Sequence, residues 1–154
     1  MELLSDIQVI YVEDDEVDRH IFKLVLNKIS VNSNVKFLEN GEEFLDFYYR
    51  RNSYRNRELF QGKVIIFLDI NMPRLNGLDV LKRLAESPGN VSADSFPPII
   101  MFSASKREVD ISESRRLGAT DYVVKPFSYQ EMQSSLRALF SRYLQSGKLK
   151  ETSL

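Results

Sequence analysis

Cysteine is absent from the 154 residues of this chain. Disulfides, thiolate metal sites and thiol catalysis are therefore excluded. Histidine occurs once, at His20, which leaves a multi-histidine metal site or a Ser-His-Asp triad without its parts. No apolar run approaches the roughly 18 residues that a bilayer crossing needs. Charge of either sign is not in excess: 21 Lys and Arg face 22 Asp and Glu, for a formal net charge of -1. That balance provides no global basic field for nucleic acid or an anionic membrane. Residues 1–6 lack the basic start and apolar stretch of a secretion signal. Internal repeats and low-complexity tracts are missing as well. The expected setting is the cytoplasm, and the chemistry has to run on carboxylates, hydroxyls and lysine. The length predicts one domain with a real core over 1–145, no room for a second output domain, and a loose polar tail over 146–154.

What the sequence does contain is a fivefold alternation of strand and helix patterning. Ile7–Val12, Val35–Leu38, 64–68, 99–102 and 122–124 read as strands, and 64–68 is continuously apolar, as a central parallel strand should be. The first helix is opened by Asp15 or Glu16 and carries Val17, Ile21, Leu24, Val25 and Ile29. Further helices are read from Glu42 onward, over 78–84 and over 106–117, the last ended by Gly118. Ser128 can cap a final helix bearing Met132, Leu136, Leu139, Phe140 and Tyr143. Asn40-Gly41, Pro73 and Gly77 punctuate the chain, and 87–98 reads as a loop. This pattern predicts an α/β fold: a doubly wound, five-stranded parallel sheet with five helices on its two faces. Ligands of such sheets bind at the carboxyl ends of the strands.

Those ends carry Glu13-Asp14, Asp69, Ser103 and Lys125-Pro126. Three carboxylates brought together repel one another, and a divalent cation relieves the repulsion. Mg²⁺ suits oxygen ligands, keeps waters and commonly bridges to phosphate. An ionised Asp is also a nucleophile toward phosphorus, giving an aspartyl phosphate. That transfer needs positioning and charge neutralisation more than proton chemistry. Lys125 and Mg²⁺ would supply positive charge, and Ser103 a hydrogen bond to a phosphoryl oxygen. Taken singly, Asp69 reads as a loop residue or cap, residues 13–16 as an acidic helix start, and Ser103 as a turn hydroxyl. The weight lies in their joint placement at strand ends.

The segments around these residues strongly resemble the response-regulator receiver domain, the CheY-like family, over about residues 7–143. Val9-Ile10-Tyr11-Val12-Glu13-Asp14-Asp15 is similar to the family's first strand and acidic pair. Phe67-Leu68-Asp69-Ile70-Asn71-Met72-Pro73, with Asn76-Gly77 after it, is similar to the phosphoacceptor segment. Phe102-Ser103-Ala104 resembles the switch-hydroxyl segment, and residues 118–127 resemble the family's most recognisable stretch. The resemblance implies a flavodoxin-like sheet of order 2-1-3-4-5. It implies Mg²⁺ bound directly by Asp14, mostly through water by Glu13, and also by Asp69 and the backbone carbonyl of Asn71. It makes Asp69 the phosphoacceptor and Lys125 a contact of the phosphoryl group. Ser103 turns toward that group after transfer, and Tyr122 swings inward behind it. The surface of the fourth helix, fifth strand and fifth helix then changes. The implied partners are a sensor histidine kinase or histidine phosphotransfer protein and a downstream protein target, with no direct nucleic-acid or membrane contact. The implied class is a two-component, phosphorelay signalling switch, with phosphorylation and dephosphorylation chemistry only on itself.

Two departures from the family pattern stand out. The stretch from Asp14 to Asp69 is longer than usual, with the excess over 48–63, and the segment 88–98 is also longer. Extended loops of this sort are similar to those of receivers that work with bacterial phytochrome kinases. The step from Ser103 to Lys125 matches the common family spacing. Arg50, Arg51, Arg55 and Arg57 read as a solvated helix end, and Phe47, Tyr48, Tyr49, Tyr54 and Phe60 as packing. His20 reads as an exposed helix residue. Phe140 and Tyr143 either pack in the core or extend an apolar stripe that could support a homodimer. Two rivals remain open: a receiver that has lost its phosphate dependence, and a haloacid-dehalogenase-like phosphatase. The latter class carries a second acid two positions after its nucleophile, where this chain has Asn71. Residues 147–154 would also suit the remnant of a linker to a larger protein.

Overall fold

The most continuous apolar runs of the sequence lie at the centre of a sheet. The computed structural model describes residues 7–29, 31 and 35–154, so residues 1–6, on which the secretion-signal reading rests, fall outside the described residues. Strands β1 (Ile7–Val12), β3 (Gln61–Leu68) and β4 (Ile99–Ser103) form the middle, flanked by β2 (Val35–Leu38) and β5 (Asp121–Val124). All five are parallel, in the order β2-β1-β3-β4-β5. Between them run α1 (Glu16–Lys28), α2 (Gly41–Tyr49), α3 (Gly77–Glu86) and α4 (Glu108–Arg116), and α5 (Tyr129–Ser146) follows β5.

Side chains on a strand alternate between faces, so each central strand feeds two cores. Val9, Tyr11, Ile65, Phe67, Ile100 and Phe102 point to one face, where Phe22, Val25 and Leu26 of α1 meet Leu136, Leu139, Phe140 and Tyr143 of α5. Ile10, Val12, Ile66, Leu68, Ile99 and Met101 point to the other, where α2 and α3 supply Phe44, Phe47, Val80, Leu81 and Leu84. Burying one such side chain contributes about 2 kcal/mol, so the two cores carry most of the stability. Helix starts follow the local chemistry. Asp15 accepts from the N–H groups of Val17 and Asp18, Ser128 accepts from Glu131, and Asn76 and Asp79 form a reciprocal capping box.

The tail and the arginine cluster depart from their sequence readings here, and the open alternative at Phe140 and Tyr143 closes on core packing. The tail expected to be loose instead forms β6 (Glu151–Ser153), antiparallel to the start of β3 through Gln61↔Ser153, Gly62↔Thr152 and Lys63↔Glu151. Leu149 and Leu154 are buried beside it, and the Arg57 guanidinium donates to the carbonyls of Leu154 and Phe47. Hydrophobic anchors on either side of a short polar segment hold it to an open stretch of β3, which consequently begins at Gln61, earlier than its apolar run. Phe140 and Tyr143 are fully buried in the chain's own core, so they offer no apolar stripe to a second copy. The arginines of 50–57 are not simply a solvated end. Arg57 lies 4.0 Å over the Phe47 ring, Arg50 donates to the Arg57 carbonyl, and Arg51 pairs with Asp46. His20 is exposed, as its helical position predicts.

Candidate functional site

The parallel sheet brings the ends of β1, β3, β4 and β5 to one edge. Glu13 follows β1 directly and is almost fully buried, whereas Asp14 is exposed. Asp69 follows β3, is buried, and its backbone N–H donates to the Val12 carbonyl at 3.2 Å, which ties the two acid-bearing loops together. Carboxylate oxygens of Glu13, Asp14 and Asp69 all lie within 4.8 Å of one another. Lys125, just past β5, places its Nζ 2.6 Å from Glu13 Oε2, 3.0 Å from Asp18 Oδ2 and 3.5 Å from Asp69 Oδ2. The structure thus joins Glu13, Asp14, Asp69 and Lys125 in one cluster.

The remaining expected residues surround that cluster. Asn71 donates its backbone N–H to Asp69 Oδ1 at 3.4 Å and leaves its side chain exposed. Ser103 is buried at the end of β4, its Oγ accepting from the Ser105 N–H at 3.2 Å, and its carbonyl accepts from the Lys125 N–H at 2.8 Å. Tyr122 is half-buried against the α2–α3 face of the sheet and donates its hydroxyl to the Ser105 carbonyl at 2.8 Å. Gly77, at the start of α3, is pressed against Asp69: a Cβ there would sit 2.2 Å from the Asp69 carbonyl oxygen.

Two participants were not read from the sequence. Tyr11 donates its hydroxyl to Glu13 Oε2 at 3.2 Å. Asp18 reaches Lys125 from the first turn of α1, where an acid is already explained by the helix dipole. Its only sequence signal is its position one helical turn after Asp14, on the face turned to the strand ends.

Burial sets the electrostatics. It pushes the Glu13 carboxyl up to about 7, against the hydrogen bond from Lys125, with the charge of Asp69 raising it further. Burial alone would lower the Lys125 ammonium, yet the carboxylates of Asp69, Glu13 and Asp18 outweigh it and hold this group above its ordinary range. The Tyr11 phenol is raised by burial and then by Glu13, which keeps it a hydrogen-bond donor. Three carboxylates within 4.8 Å of one another, one of them raised mainly by burial and further by the charge of Asp69, are a donor set suited to a hard divalent cation, and the oxygens present fit one. The sign of the pH effect follows. Between 4.5 and about 7 the folded, metal-free protein holds a proton on Glu13 that the unfolded chain releases. Metal-free stability therefore falls as pH rises through that window. Relative to a Glu13→Gln variant, the wild type should lose about 3 kcal/mol between pH 4.5 and 8 in EDTA, read from urea unfolding. Parallel curves for the two proteins would show that Glu13 does not titrate there.

The family model described as the response regulator receiver domain matches residues 9–137, and the chain belongs to that family. Receiver domains are signalling switches of two-component systems, and they typically bind Mg²⁺ at an acidic pocket such as this one. The alkaline phosphatase synthesis transcriptional regulatory protein SphR of Synechococcus elongatus is 31% identical over 135 residues, covering 88% of this chain and 49% of its own. Sensory transduction protein RegX3 of Mycobacterium tuberculosis is 38% identical over 81 residues, 53% of this chain and 33% of its own. This chain thus spans about half the length, or less, of these curated relatives. A response regulator in red light signaling of R. palustris matches in structure with a TM-score of 0.78 at 27% identity, over 93% of this chain and 97% of that one. The phosphorylated cyanobacterial phytochrome response regulator RcpA has the same fold, with a TM-score of 0.77 at 22% identity over 92% and 96% of the two chains.

Proposed function

We propose that this receiver accepts a phosphoryl group on Asp69 and thereby switches the surface formed by α4, β5 and α5. The observation that carries the reading is the cluster itself: the buried Asp69 carboxylate with two further acids within 4.8 Å and a lysine ammonium 3.5 Å away. An Asp69 oxygen forms the new bond to phosphorus, and the bond to the donor breaks with its electron pair leaving on the donor atom. Lys125 meets the charge on the transferred group. Asp14, Asp69 and the Asn71 carbonyl would hold Mg²⁺, with Glu13 acting through water; the cation would neutralise charge on the phosphoryl oxygens. Hydrolysis by water at phosphorus returns Asp69 to its carboxylate.

The same geometry supports a route from the site to the surface. Ser103 gives up the Ser105 N–H to reach a phosphoryl oxygen, and the loop after β4 moves with it. Tyr122 is bonded to the Ser105 carbonyl, so its position is linked to that loop. Among the residues of α4 only Ser114 is buried, which makes this helix inexpensive to shift. The donor is a histidine kinase or histidine phosphotransfer protein and the recipient a downstream protein. The likeness to the R. palustris regulator over nearly the whole chain supports a red-light photoreceptor kinase as donor. A phosphatase of the haloacid-dehalogenase type is disfavoured by Asn71, which stands where the general acid would be. A phosphate-independent module is disfavoured because the buried acid–lysine set is complete.

The test is intact mass after incubation with acetyl phosphate and Mg²⁺. One added phosphoryl group is expected, absent in EDTA and in Asp69→Ala. An adduct that persists in Asp69→Ala would move the acceptor elsewhere and overturn the assignment.

A further inference from the structure

Lys125 offers three N–H donors and, before any phosphate arrives, spends all three on carboxylates. Glu13 takes one at 2.6 Å, Asp18 another at 3.0 Å, and Asp69 the last at 3.5 Å. The reacting aspartate is the most distant of the three partners. Asp18 differs from the other two in kind. Its side chain is 39% exposed, against 2% for Glu13 and 7% for Asp69, and it comes from α1 and not from a strand end. Its backbone N–H is held by the Asp15 side chain at 3.0 Å, which fixes the first turn of α1 and aims the carboxylate inward at Lys125. The site therefore contains a fourth acid that touches the lysine and does not belong to the cluster of three oxygens suited to a metal.

We propose that Asp18 is a positioning residue that restrains Lys125 in the unphosphorylated state and sets how readily the site accepts a phosphoryl group. The inference rests on the proposed role of Asp69 as acceptor. An ammonium with three carboxylate partners has no donor left for a phosphoryl oxygen, so one partner must be released. The Glu13–Lys125 contact is expensive to break, because both groups are largely buried and Glu13 would keep only neutral donors, the Tyr11 hydroxyl and the Asp15 N–H. Asp18 is half in water and can return to it, so this contact is the one that yields. Its negative charge, 3.0 Å from the ammonium that the phosphoryl group must reach, also opposes an incoming phosphoryl dianion. Asp18 thus biases the site toward the resting state through two effects of the same sign, competition for Lys125 and repulsion of the ligand.

The experiment compares wild type, Asp18→Asn and Asp18→Glu, with beryllofluoride plus Mg²⁺ as the phosphoryl mimic. Asparagine keeps the shape and removes the charge. Asp18→Asn is expected to bind beryllofluoride about fivefold more tightly and to be phosphorylated by acetyl phosphate faster by a similar factor. Its Mg²⁺ affinity without the mimic should not rise, since Asp18 is not among the metal-facing acids and the variant loses a negative charge, so tighter beryllofluoride binding cannot come from the metal. Asp18→Glu should return toward wild type. A metal-free readout reports the restraint itself: the Lys125 ammonium resonance in nitrogen-15 spectra should exchange with water several-fold faster in Asp18→Asn. Equal or weaker beryllofluoride binding by Asp18→Asn, or an unchanged ammonium exchange rate, would overturn the role of Asp18. If wild type itself takes neither beryllofluoride nor phosphate while the ammonium readout shifts, it is the acceptor role of Asp69 that has failed, and the inference falls with it.

Discussion

Asp69→Asn is expected to abolish phosphoryl uptake and, at the same time, to make the metal-free protein more stable. The two effects come from one charge. In the folded state Asp69 is held within 4.8 Å of the oxygens of Glu13 and Asp14, and its charge helps to keep Glu13 protonated toward neutral pH. Removing it forfeits the longest of the three Lys125 contacts, at 3.5 Å, and keeps the two shorter ones. Relief of repulsion should therefore exceed the lost attraction, by about 1 kcal/mol in EDTA. For a chain of this size that is a rise of about 2–4 °C in melting temperature. Mg²⁺ should reverse the order, because the wild type gains binding energy that the variant lacks. Thermal unfolding of both proteins in EDTA and in Mg²⁺ checks this. A variant less stable than wild type in EDTA would show that the acids are not under mutual strain and that the cluster is not built for a cation.

Gly77→Ala should be the most damaging small substitution near the site. An added Cβ would meet the Asp69 carbonyl oxygen at 2.2 Å, and the Asp69 carbonyl carbon and Ile70 Cα at 3.0 Å. These are backbone atoms, so no side-chain rotation relieves the overlap. The chain can only move the turn after β3 away from the start of α3, which breaks the bond from the Gly77 N–H to the Ile70 carbonyl at 2.9 Å and displaces Asp69 with it. A loss of about 3 kcal/mol in urea unfolding is expected, together with phosphorylation slowed at least tenfold in whatever fraction folds. A loss below about 1 kcal/mol with normal phosphorylation would mean that the approach of α3 to Asp69 is looser than described.

The five parallel strands were legible because strand periodicity and continuous apolar runs report burial directly, and the acids were legible because strand ends are where such sheets put their chemistry. Asp15 and Ser128 were legible as caps because the hydrogen bond they make is local. Asp18 was not legible as a partner of Lys125. The two lie 107 positions apart, and an acid in a first helical turn already has a local explanation. The fate of the tail was equally hidden. A polar three-residue segment has no periodicity, and its pairing depends on Leu149 and Leu154 finding room beside a half of β3 that β4 does not reach.

The sequence alone determined the class of fold, the family and the identity of the acids, serine and lysine at the strand ends, since each is written in local pattern and in motifs of fixed spacing. The tertiary structure decided what those residues touch. It set the three-way contact of Lys125 and the pressure of Gly77 on Asp69. It sealed Phe140 and Tyr143 inside the core and paired β6 with β3. Such contacts join segments far apart in the chain, and a local pattern can show which side of an element is apolar or charged without showing what meets it.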